Sequence, residues 1–257
     1  FLKKTILFIS TMPSSSWGGS EELWVATALQ AISQGYKVIV SVPYDTFIHE
    51  KIKQLESSGC ILELIKTKRN KNLIKKIFNK INRIRSGFSN IPQHYYEYFK
   101  KIKSHNPDCI CVNQSGAFDV IHEIHHEILW IIKELRIPYF LINHFNHEHY
   151  SYKYFLIERI RILVSNATKV YFVSQRNLDV AKRQIAMREF NNYEVIKNPC
   201  KIKLSSPIKM PNLDKICFAS IARLHCNTKG QDILFEILAM PKWEQRNWFL
   251  NLYGEGE

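Results

Sequence analysis

The chain has 257 residues, of which 46% are hydrophobic, so it can bury a core and form more than one compact unit. Its longest apolar run, Ile128–Ile132, is far shorter than the roughly 20 residues that cross a membrane as a helix. The net charge of +13 is compatible with nucleic acid, an anionic membrane surface or phosphorylated ligands as partners.

The six cysteines are dispersed and form no C-x-x-C pair. Most of them lie in or next to apolar, strand-like runs. This arrangement is typical of buried free thiols rather than of a disulfide framework. We therefore expect a reducing, cytoplasmic location.

Residues 5–42 have the pattern strand, glycine-rich loop, helix, strand. The first strand is predicted at Thr5–Ser10, the helix begins at an N-cap at Ser20, and the second strand is predicted at Lys37–Val42. The loop contains two adjacent glycines, Gly18 and Gly19. Glycines at this place let the backbone approach a bound group closely. The G-x-G-x-x-G fingerprint is absent, so a tight dinucleotide site is not predicted.

Residues 67–85 form the most basic segment, with eight cations and no acid. Its isoleucines and its phenylalanine fall on one face of a predicted helix. A basic amphipathic helix is typical of contact with a membrane surface, but an ordinary surface helix packed on a sheet has the same pattern. Both interpretations stay open. The cations that would meet the membrane are Lys71, Lys75, Lys76, Lys80 and Arg83.

Residues 122–126, HEIHH, fit the H-E-x-x-H motif. In that motif two histidines one helical turn apart bind zinc, and the glutamate activates water. The corresponding hypothesis is a zinc hydrolase with His122 and His126 as ligands and Glu123 as the base. Candidates for a third ligand are His144, His147 and His149. Against this hypothesis, the predicted helix Ala117–Leu135 has an apolar face that suits packing on a sheet.

His144 follows a continuous apolar run, Pro138–Asn143, which is typical of a strand buried on both faces. In a parallel sheet it would lie at the same edge as the glycine-rich loop. There it could donate a hydrogen bond to a phosphate or sugar oxygen, or it could cap the strand. Further strands are predicted at Ala167–Val173 and Tyr193–Ile196, and Asn198 closes the last of them.

Residues 201–214 carry two prolines and no clear period, as is typical of a linker between residues 1–200 and 215–257. After this linker an apolar run, Ile216–Ile221, predicts a strand that leads to Arg223, and Lys229 precedes a helix-like pattern. Ligands of open α/β sheets bind beyond the carboxyl ends of the strands, and a helix N-terminus with two cations suits a phosphate or diphosphate. A solvated loop that carries two cations is the alternative.

Motifs at the predicted strand ends resemble, in order along the chain, those of the family 4 (group 1) glycosyltransferases. The motifs are WGGSEELWVATALQAISQGYKVIV, IPYFLINH, KVYFVSQRN, VIKNP, FASIARLHCNTKGQDILFEIL and WFLNLYGEGE. Members of this family are retaining nucleotide-sugar transferases of the GT-B fold. The resemblance implies an α/β fold with two Rossmann-like, doubly wound parallel-sheet domains, the second present only in part.

The resemblance also implies roles for particular residues. Gly18 and Gly19 would contact the diphosphate of the donor through backbone N–H groups, and His144 would hydrogen-bond the transferred sugar or its phosphate. Arg223 and Lys229 would neutralise the diphosphate as it leaves, so that no metal or cofactor is needed. Further donor contacts would come from Gly254 and Asn198.

The implied function is transfer of a sugar from a nucleotide-diphosphate sugar to a lipid-linked or growing saccharide, in cell-surface polysaccharide biosynthesis. The implied location is cytoplasmic, at the inner face of the cell membrane. The chain departs from the family pattern at Ala222, Phe145 and Pro199. It also ends before the Glu-x7-Glu segment of the family, so we expect these 257 residues to lack full activity.

Two other functions compete with the transferase. One is the zinc hydrolase centred on HEIHH. The other is a nucleic-acid binder driven by net charge, which would show a steep salt dependence of binding. The basic residues concentrate on one amphipathic segment without the aromatic signatures of RNA binding, so this function ranks last and no nucleic acid is expected as a partner.

Overall fold

The computed structural model describes residues 3–12, 17–65, 93–121, 126–189, 191–200 and 215–256. The chain divides into two units, residues 1–201 and 202–257. The basic segment 67–85 and the predicted linker 201–214 lie outside the described residues. No helix among the described residues is long and apolar enough to cross a membrane.

Unit 1 is built on a parallel sheet of seven strands in the order β3-β2-β1-β4-β5-β6-β7. The strands are β1 (Thr5–Ser10), β2 (Lys37–Pro43), β3 (Ile61–Ile65), β4 (Cys109–Gly116), β5 (Tyr139–Phe145), β6 (Lys169–Phe172) and β7 (Tyr193–Val195). The order reverses between β1 and β4. In open α/β sheets, ligands bind beside such a reversal, beyond the carboxyl ends of the strands.

Helices lie on both faces of this sheet. They are α1 (Gly19–Ser33), α2 (Tyr44–Phe47), α3 (Glu50–Ser57), α4 (Gln93–Ser104), α5 (His126–Leu135), α6 (Tyr154–Asn166) and α7 (Gln175–Gln184). Helices α1 and α3 pack in one hydrophobic cluster, and α4 to α7 pack in a second one. The chain first adds strands on one side of β1, up to β3, and then adds β4 to β7 on the other side. Because crossovers between parallel strands are right-handed, this reversal places the helices of the two halves on opposite faces of the sheet.

The face of the sheet that carries α1 also has a groove of about 670 Å³. Its floor includes Cys109, Cys111, Phe140 and Tyr171, which are only partly buried, while Leu23 of α1 lines its side. Burial raises the pKa of Cys111 to about 12, so this thiol is not a nucleophile at neutral pH. The expectation of buried thiols does not hold for the whole chain, because three cysteines are exposed: Cys200, Cys217 and Cys226.

Helix α1 begins one residue before the predicted N-cap. Gly18, not Ser20, is the N-cap, because Glu21 at the third helical position accepts a hydrogen bond from the backbone N–H of Gly18 at 3.0 Å. Placing the helix start here makes both glycines part of the helix terminus.

The predicted helix Ala117–Leu135 is wrong at its N-terminal end. Strand β4 continues to Gly116, and a 3-10 turn follows at Asp119–Ile121. The carboxylate of Asp119 accepts from the backbone N–H of Gly116 at 2.7 Å, and the side chain of Gln114 accepts from the N–H of Val120 at 3.1 Å. Gln114 takes the N–H of Val120 that an α-helix from Ala117 would use, and Phe118 has a left-handed φ of 65° that interrupts a helix.

Unit 2 has two parallel strands, β8 (Ile216–Ile221) and β9 (Trp248–Tyr253). Between them lie α8 (Cys226–Lys229), α9 (Gln231–Leu238) and α10 (Pro241–Glu244). Many apolar side chains of this unit are exposed, including Ile216, Ile221, Ile233, Phe235, Ile237, Met240, Leu252 and Tyr253.

Candidate functional site

Three residues that the sequence assigns to a donor site meet at the carboxyl edge of the unit 1 sheet. His144 ends β5, Gly19 begins α1, and Asn198 follows β7. A Cβ atom built on Gly19 would lie 3.1 Å from Nδ2 of Asn198, so a side chain at Gly19 would press on that amide. The side chain of Asn198 in turn lies against the ring of His144.

Asn113 is a fourth member that sequence reasoning missed. Its Oδ1 atom lies 2.6 Å from Nε2 of His144, and its side chain is 1% exposed. The available signal was an asparagine at the end of the apolar run of β4, which pairs directly with β5.

His144 is a neutral hydrogen-bond acceptor in this arrangement. Burial lowers the pKa of His144 to about 4, and the side chain of Asn198 offsets only part of that effect. Since Oδ1 of Asn113 can only accept, Nε2 of His144 carries the proton and Nδ1 keeps its lone pair. In this tautomer His144 offers an acceptor at Nδ1, whereas the expected hydrogen bond to a phosphate or sugar oxygen would need a donor.

Two buried polar atoms at this edge lack a hydrogen bond of normal length among the described residues, although the side chain of Asn198 interacts with the ring of His144. They are Nδ1 of His144, an acceptor, and Nδ2 of Asn113, a donor. Unsatisfied buried polar groups cost free energy, of the order of 1–3 kcal/mol each, and are uncommon away from functional sites. Hydroxyl groups both donate and accept, so sugar hydroxyls have the chemistry to satisfy an atom of either kind.

The N-terminus of α1 already holds a carboxylate. Glu21 is 2% exposed, and its Oε2 accepts from the N–H of Gly18 at 3.0 Å and from Oγ of Ser20 at 2.8 Å. An approaching diphosphate would meet this negative charge, and the N–H of Gly18 is engaged. This edge of unit 1 therefore suits a neutral, hydroxyl-rich group better than an anion.

The cations that the sequence assigns to the diphosphate lie in unit 2. Arg223 follows β8, and Lys229 ends α8 directly before α9; both side chains are exposed. Within the described residues, neither side chain forms an ion pair. Nε2 of the buried Gln231 donates to the carbonyl of Arg223 at 2.8 Å. This hydrogen bond connects the segment after β8 to the start of α9. Unit 2 thus presents two uncompensated cations at the carboxyl end of its strand.

Gly254, which the sequence assigns to donor contacts, has a backbone role. A Cβ atom built on Gly254 would lie 1.8 Å from the carbonyl oxygen of Ala222, and one on Gly256 would lie 2.0 Å from that of Leu224. The N–H of Leu224 donates to the carbonyl of Glu255 at 2.9 Å. Only glycine at these two positions lets the segments after β8 and β9 run side by side.

The zinc hydrolase is not favoured. His122 and Glu123 lie outside the described residues, and His126 is the first residue of α5. In the part of the chain that the structure describes, no group of three histidine, cysteine or acidic residues could hold a metal ion.

No protein-family model matches the chain, and no curated protein matches it in sequence. Solved structures do match it. HepE (Alr3699) of Anabaena, crystallised in complex with UDP and glucose, has a TM-score of 0.58 at 16% identity; the match covers 98% of this chain and 61% of HepE. The glycotransferase of kitacinnamycin (TM-score 0.45, 11% identity, 97% and 65% covered) and LpCGTa in complex with UDP (0.48, 10%, 99% and 71%) score lower.

Because the sequence identity to HepE is low, this likeness shows the fold alone. It confirms the predicted α/β class with a parallel sheet, of the kind found in GT-B glycosyltransferases. The chain spans 61% of the length of HepE.

Proposed function

We propose that this chain belongs to a retaining glycosyltransferase, similar to family 4, that moves a hexose from a nucleotide-diphosphate sugar to a saccharide or lipid-linked acceptor. The observation that carries the proposal is the His144–Asn113 pair at the carboxyl edge of the sheet. Its buried Nδ1 and Nδ2 atoms, one an acceptor and one a donor, have the chemistry to bind sugar hydroxyls. The fold is that of a protein crystallised with UDP and glucose, so UDP-glucose is the first donor to test.

The two units supply different chemistry. His144 and Asn113 would hold the hydroxyls of the transferred sugar. As the bond between the anomeric carbon and the diphosphate breaks, negative charge develops on the leaving diphosphate. Arg223 and Lys229 would stabilise that charge, which is the main electrostatic demand of the reaction, and would make a metal unnecessary. The acceptor oxygen forms the new bond on the same face of the sugar, and its proton passes to the leaving diphosphate.

The proposal places the protein in the cytoplasm, at the inner face of the cell membrane, in polysaccharide biosynthesis. The support for membrane contact is the sequence of residues 67–85 alone, with its eight cations and its apolar face.

The test is calorimetric titration of UDP and UDP-glucose into the chain. Arg223→Ala and Lys229→Ala should each weaken UDP binding about 10- to 100-fold, since a hydrogen bond between charged groups contributes roughly 1.5–3 kcal/mol. Lys242→Ala removes an exposed lysine of the same unit, in α10, and should leave the affinity unchanged. His144→Ala should weaken UDP-glucose relative to UDP, because it removes a contact with the sugar and none with the phosphates.

If the Arg223→Ala and Lys229→Ala variants bind UDP as tightly as the wild-type chain does, those two cations are not part of the site. If no nucleotide-diphosphate sugar of the uridine, guanosine, adenosine or thymidine series bound, the proposed function would be wrong.

A further inference from the structure

The loop between β5 and α6, residues 146–153, is held in place although it has no regular secondary structure. Nε2 of Gln184 donates to the carbonyls of His147 at 2.6 Å and Tyr150 at 2.8 Å. The hydroxyl of Tyr152 donates to the carbonyl of Ala117 at 2.8 Å, across the end of β4. Loops fixed on a rigid sheet in this way commonly carry binding residues.

Aromatic side chains at this loop are nevertheless exposed. Phe145, at the end of β5, is 44% exposed and Tyr150 is 45% exposed. The ring of Phe145 lies edge-on to that of His147 at 4.3 Å, and the ring of Tyr150 lies edge-on to that of Tyr152 at 4.9 Å. Burial of a large aromatic side chain is favourable, so two exposed rings on a fixed loop offer a surface for a ligand.

These rings border a cavity of about 140 Å³ at the carboxyl ends of β4 and β5. The lining includes Asp119, Phe145, Asn146, His147, Tyr150 and Tyr152. Phe145 follows His144 in β5, so the cavity lies at the same carboxyl edge of the sheet at which the transferred sugar is proposed to bind.

Asp119 supplies the carboxylate of this cavity. Its Oδ2 atom accepts from the N–H of Gly116 at 2.7 Å and from Oγ1 of Thr11 at 3.3 Å. Within the described residues it forms no ion pair. A Cβ atom built on Gly116 would lie 2.7 Å from Oδ1 of Asp119, so the glycine is what lets the carboxylate sit over the strand end. Burial chiefly, then Tyr150 and the charge of Asp119, raise the pKa of Tyr152, so its hydroxyl stays protonated.

Exposed aromatic faces beside a carboxylate, an imidazole and an amide are a combination that recognises a pyranose. A pyranose ring has apolar C–H faces that pack on aromatic rings, and a rim of hydroxyls that donate to carboxylates and imidazoles. A phosphate is disfavoured, because among the described residues no lysine or arginine lines the cavity and Asp119 would repel it. A wholly apolar ligand is disfavoured, because it would cover the charged carboxylate of Asp119 without offering it a hydrogen bond.

From this geometry we propose that the cavity is a neutral-saccharide subsite and that it binds the sugar of the acceptor. Phe145 and Tyr150 pack on the ring, and Asp119 accepts from its hydroxyls. The assignment of this sugar as the acceptor rests on the proposed glycosyltransferase function; the assignment of a saccharide to the cavity rests on the cavity alone.

The experiment measures binding of p-nitrophenyl α- and β-glucoside, galactoside and mannoside to the chain by saturation-transfer NMR. At least one glycoside should bind to the wild-type chain. Tyr150→Ala and Asp119→Asn should weaken it at least tenfold. Tyr154→Ala removes a neighbouring tyrosine that is 79% exposed and does not line the cavity, and it should bind like the wild type.

Gly116→Ala provides a second test of Asp119, because it displaces the carboxylate without removing it and should also weaken binding tenfold. Tyr150 is exposed, so Tyr150→Ala should remain folded, and its thermal unfolding midpoint checks this. No binding of any glycoside to the wild-type chain would overturn the proposal. Equal losses in Tyr150→Ala and Tyr154→Ala would overturn it as well.

Titration of UDP into the same preparations separates this proposal from the proposed function. Binding of UDP without binding of any glycoside would remove the subsite and leave the transferase in place. If a glycoside binds in a way that depends on Asp119 and Tyr150 but no nucleotide binds, the proposed transferase function is wrong and the proposed saccharide subsite stands.

Discussion

The low pKa of His144 makes the stability of the protein depend on pH in a way that one substitution should abolish. Folding lowers the pKa of His144 from its ordinary value of 6.5 to about 4, chiefly through burial. Between these two values the unfolded chain binds more protons than the folded one, so stability is full above pH 6.5 and falls as the pH drops towards 4. The shift corresponds to about 3 kcal/mol in total, of which about 2 kcal/mol should be lost by pH 5.

The assay is urea denaturation of the wild type and of His144→Gln at a series of pH values from 7.5 to 5. Glutamine does not titrate, so the difference in unfolding free energy between the two proteins should change by about 2 kcal/mol over this range. All other titrating groups are common to both proteins and cancel in the difference. His149→Gln, which removes an exposed histidine of the following loop, should keep the pH dependence of the wild type.

Parallel pH profiles for the wild type and His144→Gln would refute the reasoning. So would an imidazole resonance of His144 that titrates near pH 6.5 in the folded protein. Either result would mean that the ring is charged at moderately acidic pH, and its role as a neutral acceptor for a sugar hydroxyl would then fail.

Two further predictions concern stability. Burial alone would raise the pKa of Glu63, but hydrogen bonds from Lys101 at 2.9 Å and His105 at 2.8 Å outweigh it and hold that pKa below its usual range. Glu63→Gln should therefore destabilise the fold by about 1–2 kcal/mol at pH 7, and the loss should vanish as the pH falls well below 4.5, which urea denaturation at pH 7 and pH 3.5 would measure. Gly254→Ala should force apart the segments after β8 and β9, because its Cβ would lie 1.8 Å from the carbonyl oxygen of Ala222; limited proteolysis should then cut unit 2 faster while unit 1 stays intact.

Controls for these two predictions are available in the chain. Lys53→Gln removes an exposed charge on α3 and should change the unfolding free energy by less than about 0.5 kcal/mol. Gly35→Ala meets no atom within 4 Å, so any cost there comes from its positive φ of 86° alone and falls on unit 1. Proteolysis of unit 2 at an unchanged rate in Gly254→Ala would contradict the close backbone approach.

The sequence by itself determined the local elements and their alternation. The bounds predicted for β1 (Thr5–Ser10) and β8 (Ile216–Ile221) match the structure, because apolar runs closed by polar or glycine residues carry their signal within a few residues. Strands that alternate with helices imply parallel pairing and right-handed crossovers, so the class of fold followed from the same local signals.

Element ends were less predictable where a side chain competes with the backbone. The break after β4 depends on the side chain of Gln114, which takes the N–H of Val120 in place of a helical partner, and on the left-handed backbone of Phe118. The start of α1 depends in the same way on the carboxylate of Glu21. The helical spacing of apolar residues continues through both places, so it does not predict these side-chain hydrogen bonds.

Only the tertiary structure decided which residues meet and in what state of charge. Asn113 faces His144 because β4 and β5 are neighbours in a register that places Asn113 opposite Ile142, a pairing between residues far apart in the chain. Burial in that register makes His144 neutral, and the carboxylate of Glu21 occupies the helix terminus that the sequence had assigned to a diphosphate. A sequence lists the groups that can act, but desolvation and long-range register set their pKa values and their partners.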